Sequence, residues 1–133
     1  MSISVVQGYV CYSSCDEAKA RHGKNPHPKP GESEFSSPKI GGVTEMRKIF
    51  ALGEANGVVV VPHSPYFGPG LLASIHVCAA AAREIPIERY YCDFAESAFG
   101  DQIIPKHGDF AVPQEPGLGK DPDMAVIERQ RVA

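Results

Sequence analysis

His63 is the residue best placed for proton chemistry in this 133-residue chain. It stands in "VVVVPHSPYFGPG", residues 58–70, where four valines run into a proline, the histidine and a Gly/Pro-rich loop. Imidazole changes charge near neutral pH and so can serve as general base or acid. The bland alternative is a histidine that merely caps a loop by hydrogen bonding. A second group is Cys11, Cys15, His22 and His27 in "CYSSCDEAKARHGKNPH", a C-x3-C, H-x4-H set of a kind that zinc accepts. The six residues between Cys15 and His22 are about half the internal spacing of a ββα finger, so incidental polar loop residues are the stronger reading. Cys78 and Cys92 lie in apolar surroundings and read as small hydrophobes without a chemical role.

The elements that must position His63 can be read from periodicity. "VVVV" is too short for a helix and lacks polar alternation, so it predicts a strand covered on both faces, as in a parallel sheet. Before it, "GGVTEMRKIFALGEANG" places Val43, Met46, Ile49, Phe50 and Ala55 near one helical face, with Thr44 as the expected cap and Asn56–Gly57 as the stop. After it come a Leu/Ala-rich helical stretch, "GLLASIHVCAAAARE", and a short strand, "IERYY". His76 falls inside that helix and reads as a packing or capping residue. The order α, β, loop, α, β implies a parallel α/β sheet or barrel, in which chemistry sits at the carboxyl ends of strands. His63 has that position, and Gly68 and Gly70 leave room for a ligand to approach. Upstream, "ISVVQGYVCY" has strand character, whereas Pro26, Pro28, Pro30 and Gly31 make residues 16–38 a poor candidate for any regular element. The expected division is therefore residues 1–38, a strand followed by a polar Pro-rich loop or poorly ordered insert, and residues 39–133, the α/β part.

Composition bounds the function. An apolar fraction of 43% with 22% charged residues is that of a folded domain, and the length allows one usable core. A net charge of −3 gives no basic field for nucleic acid, and no apolar run is long enough to span a membrane. The N-terminus does not read as a secretory signal, so a cytoplasmic setting with reduced thiols is expected.

The run from Gly41 to Ala82, "GGVTEMRKIFALGEANGVVVVPHSPYFGPGLLASIHVCAAAA", resembles the last third of the barrel in the mandelate racemase/muconate lactonizing enzyme branch of the enolase superfamily. "IERYYCDFAES" looks like the final barrel strand, and "DFAVPQEPGLGKDPD" like the segment that returns towards a capping domain. The order GGVTE, PHS, PGLG carries the likeness, which covers about residues 36–133. It implies an α/β chain forming the C-terminal portion of an incomplete TIM-type barrel. It also implies abstraction of the proton α to a carboxylate, with Mg²⁺ stabilising the enolate. By resemblance His63 is the base, or the acid of a later dehydration, and Glu88 a carboxyl group able to hydrogen-bond the enolate oxygen when protonated. A solvent-facing glutamate beside Arg89 is the plain alternative for Glu88. Ser64 and Tyr66 would line the substrate pocket, and the substrate would be a small carboxylate such as a sugar acid.

The family's metal ligands and lysine pair come from earlier strands, so no residue here is assigned to magnesium. The aspartate that commonly orients the base histidine would fall where this chain has Ser36 and Ser37. "ISVVQ" resembles the start of the sixth barrel strand and "SSPKIGG" its continuation, as if residues 8–35 had been placed between them. The expectation is a C-terminal piece of an acid-sugar dehydratase or racemase whose open edges imply a complementing chain, self-association or, as the favoured outcome, poor stability on its own. A non-catalytic remnant, or an interaction module using the Cys/His set as a metal site, is the alternative.

Overall fold

A computed structural model describes residues 2–6, 32–35, 40–64, 66–82, 84–89 and 94–132. Cys11, Cys15, His22, His27, Ser36, Ser37 and Cys92 lie outside the described residues, as does most of the Pro-rich segment. The elements, in order, are β1 (Ser2–Val6), β2 (Glu32–Phe35), α1 (Val43–Ala55), β3 (Val59–Pro62), α2 (Pro69–Ala79), β4 (Ile87–Glu88), a 3₁₀ turn (Gly100–Ile103), β5 (Asp109–Ala111) and α3 (Met124–Arg129). From α1 to β4 this is the alternation that the sequence predicts.

Two sheets form. β2 pairs in parallel with β3, Glu32 opposite Val59 and Phe35 opposite Pro62. β1 is the centre of the other, parallel to β4 with Val6 opposite Glu88, and antiparallel to β5 with Ile3 opposite Phe110. Two expectations are corrected here. Glu32–Phe35 is a strand although it lies in the stretch whose proline, glycine and charge content argues against regular structure; its polar sequence is overridden by the ladder that β3 offers. "ISVV" is not the beginning of the strand beside β3, because it lies against β4, with β2 occupying the place beside β3.

α1 starts at a glycine pair whose backbone takes φ of 103° at Gly41 and 98° at Gly42, a region closed to side-chain-bearing residues, which is why this turn is spelled GG. Gly42 is the N-cap and no side chain caps the helix, so Thr44 lies inside the first turn instead of closing it. Asn56 and Gly57 end it as predicted, Gly57 with φ 66°. Of the expected apolar face only Met46 is fully buried; Val43 and Ala55 are exposed. Burial instead follows Met46 and Gly53, where the helix meets β3 and α2. A Cβ on Gly53 would fall 2.6 Å from Val60 Cγ2 and 3.0 Å from the Val58 carbonyl oxygen, so glycine sets how closely helix and strand approach.

The core gathers Leu71, Leu72, Ile75 and Cys78 of α2 against Ile85, Ile87, Ile103 and Phe110, with Phe50 and Phe99 packed on its edge. α2 is also buried at Ser74 and Val77, so neighbours cover more than one of its faces, and the Ser74 hydroxyl donates to the Gly70 carbonyl at 3.0 Å. The helix opens on Pro69, whose fixed φ suits a first turn. No helix among the described residues is long and apolar enough to cross a membrane.

Candidate active site

β3 is buried at Val60 and Val61, adjacent residues that point to opposite faces, so the valine run is covered on both sides as its composition predicts. The strand ends at Pro62, fully buried, where a missing N–H costs the ladder least. His63 is the next residue and leaves the sheet with 16% of its side chain exposed.

β4 supplies the second group. Ile87 packs into the core with α2, so the alternation of a strand turns Glu88 away from the helix layer. β3 and β4 lie against one another, and there the carboxylate oxygen Oε2 of Glu88 meets Nδ1 of His63. Only 9% of the Glu88 side chain is exposed. Glu88 is therefore an enclosed partner of the histidine, and the solvent-facing alternative is overturned.

Ser64 follows directly. It is 1% exposed, and its Oγ has no hydrogen-bond partner among the described residues. Tyr66 is half-buried on the same loop. The structure thus brings His63 and Glu88 together, encloses Ser64 beside them, and keeps Tyr66 on the loop that leaves the strand.

Other features could not be read in advance. Arg89 is 8% exposed and its guanidinium lies 5.7 Å from the ring centre of Phe67, which in turn meets Phe94 edge-on at 4.6 Å. These three residues, with Ser97, Ile103 and Ile104, line a cavity of about 250 Å³. An arginine beside a glutamate at a strand end was the available signal, but the aromatic contacts come from distant loops. A larger cavity of about 300 Å³ lies by the start of β3, between Phe50, Glu54, Val77 and Ile85, at the end away from His63.

The PGLG segment is held from α2. His76 Nε2–H donates to the Leu118 carbonyl at 3.2 Å, which gives that packing residue a definite task. Asp123 caps α3 by accepting from Ala125 N–H at 2.9 Å, and Arg129 pairs with Glu96, whose carboxyl is held below its ordinary range by that guanidinium. Burial pushes the Cys78 thiol up to about 12, so it stays neutral as a small apolar group.

Among the described residues no group of three or more His, Cys, Asp or Glu side chains is placed to hold a metal ion. Magnesium takes about six ligands in octahedral geometry, and His63 with Glu88 does not make such a set. The described part of the chain does not fit the ion that the family resemblance implies.

The family model "Enolase C-terminal domain-like" matches residues 35–126. The chain belongs to the enolase superfamily, in its mandelate racemase/muconate lactonizing enzyme branch. It is 29% identical over 97 residues to D-xylonate dehydratase of Haloferax volcanii, covering 71% of this chain and 24% of that enzyme. To D-galactonate dehydratase of Ralstonia pickettii it is 36% identical over 105 residues, 70% of this chain and 27% of that enzyme.

Among solved structures, an enolase from Mycobacterium smegmatis complexed with tartrate superposes with a TM-score of 0.63 at 19% identity, over 92% of this chain and 30% of that one. A mandelate racemase/muconate lactonizing enzyme from Sulfitobacter gives a TM-score of 0.56 at 29% identity, over 72% and 24%. The α/β architecture is thus part of an enolase-type barrel domain. The chain spans about a quarter of the length of the curated relatives it matches.

Proposed function

We propose that this chain carries the proton-transfer end of a sugar-acid dehydratase or racemase site, with His63 moving the proton α to a carboxylate. The observation that supports it is the enclosed pair of His63 and Glu88 at the carboxyl ends of adjacent strands, where barrel enzymes hold their chemistry. A neutral imidazole can take the α-proton, and the electron pair left behind moves into the carboxylate as an enolate. In a dehydration that pair then forms the carbon–carbon double bond while the β-hydroxyl departs, and the imidazolium returns its proton to the leaving oxygen as water. In a racemisation the imidazolium keeps that proton, and a second acid, which the described residues do not supply, delivers another to the opposite face of the same carbon.

Ser64 and Tyr66 are suited to meeting substrate hydroxyl or carboxylate oxygens. No step is assigned to magnesium, whose ligands the described residues do not supply. The family relatives' names, D-xylonate, arabinonate and D-galactonate dehydratase, support a small polyhydroxy acid as substrate. A cytoplasmic setting and a complementing chain carrying earlier barrel strands complete the reading.

The test is exchange of the C2 proton of galactonate, xylonate and arabinonate with D₂O, followed by NMR as deuterium at C2 of the recovered acid or as loss of that proton in a dehydrated product, for the chain alone and mixed with a chain that supplies the earlier strands. Exchange in the mixture that disappears in His63→Asn is expected. Exchange that survives His63→Asn, or is absent from both preparations, overturns the proposal.

A further inference from the structure

We infer that Glu88 is the positioning residue for His63: it holds the ring by Nδ1 and leaves Nε2 as the atom that moves the proton. The inference rests on the proposed role of His63 and deepens it, replacing direct donation to an enolate oxygen as the task of Glu88. The contact is atom-specific, Oε2 of Glu88 on Nδ1 of His63. A carboxylate in its ionised form only accepts a hydrogen bond, and with the pair in that form the proton between them is on Nδ1. A neutral imidazole carries one N–H, and its lone pair is then on Nε2.

Enclosure makes the arrangement selective. With 16% and 9% of the two side chains exposed, water competes poorly for either partner. Both residues are also anchored at strand ends, behind the buried Pro62 and Ile87, so the ring is held by backbone that cannot drift far. The geometry accounts for a gap in the sequence. By the resemblance an orienting aspartate would fall at Ser36 and Ser37, and serine cannot stabilise an imidazolium by charge. β2 flanks β3 on one side and β4 on the other, so here the orienting carboxylate comes from the strand on the opposite side.

The ring's tautomer tests this without any turnover. In uniformly ¹⁵N-labelled protein, at a pH where imidazole is neutral, the His63 nitrogens are identified by their loss in His63→Asn. The expected result is an Nδ1–H ring in the wild type that reverts in Glu88→Met to the Nε2–H form usual for unpartnered histidine. An Nε2–H ring in the wild type overturns the inference, and so does an Nδ1–H ring that persists unchanged in Glu88→Met. The wild-type spectrum decides the matter even where the Met variant does not fold. Failure of C2 exchange alongside the expected tautomers would remove the proposed function and leave the pair standing; exchange with the wrong tautomer would do the reverse.

Discussion

A buried hydroxyl without a partner costs about 1–3 kcal/mol relative to one that is hydrogen-bonded, and Ser64, next to His63, has a buried hydroxyl with no partner among the described residues. A fold gains nothing by that arrangement, whereas a ligand oxygen arriving at the site would satisfy it. Ser64→Ala is therefore expected to leave the melting temperature unchanged or raise stability by up to ~1 kcal/mol. The same change should weaken sugar-acid binding by about tenfold, one lost hydrogen bond at about 1.4 kcal/mol. Thermal melts and equilibrium titration read the two effects separately, and a clear loss of stability would show that the hydroxyl is bonded within the fold. At this scale the sequence is informative about residue types and poor at contacts. His63 announces itself by following a valine strand, but nothing in "IERYY" says that Glu88 will turn towards it, because Glu88 lies 25 positions further along the chain and the stretch between must first fold back.

Elements whose state is fixed locally are legible, and those fixed by distant pairing are not. The GG turn, the Asn56–Gly57 stop and the doubly covered Val60–Val61 follow from backbone freedom and unbroken apolarity. β2 does not: "ESEF" has no strand signal of its own and becomes one through β3. The place of β1 beside β4 was likewise invisible, since no local pattern names a strand's neighbour. Gly53 shows the two kinds of information in conflict. In an isolated helix Gly→Ala is worth ~1 kcal/mol of stability, yet here the new methyl would meet Val60 and the Val58 carbonyl. Overpacking should win, and Gly53→Ala is expected to lower stability by roughly 1–3 kcal/mol, read from the urea midpoint. Adding Val60→Ala removes one of the two obstacles, so its cost should be smaller in the Gly53→Ala background than in the wild type. Costs that simply add would show that α1 shifts away from β3 instead.

Across the whole molecule, the question is how much of a site this stretch of chain carries. It supplies the enclosed pair of His63 and Glu88 at one point of a strand rim, and a core built on α2 that holds both strands behind it. It spans about a quarter of its curated relatives, and its described side chains form no cluster that could hold a metal ion. On the proposed reading, charge stabilisation of an enolate, the demanding part of α-proton chemistry, falls to groups outside the described residues. Magnesium binding should follow the same division. Calorimetric titration of the 133-residue chain with Mg²⁺ is expected to give no saturable heat at millimolar concentrations, because the pair that the described residues bring together, one of them an imidazole, cannot replace the ion's tightly held water. Mixing with a chain that carries the earlier barrel strands should produce a saturable site, and that site should persist in His63→Asn, since the role proposed for the histidine is with the proton and not the metal. Stoichiometric binding by the chain alone would place a metal site within these 133 residues and return attention to Cys11, Cys15, His22 and His27.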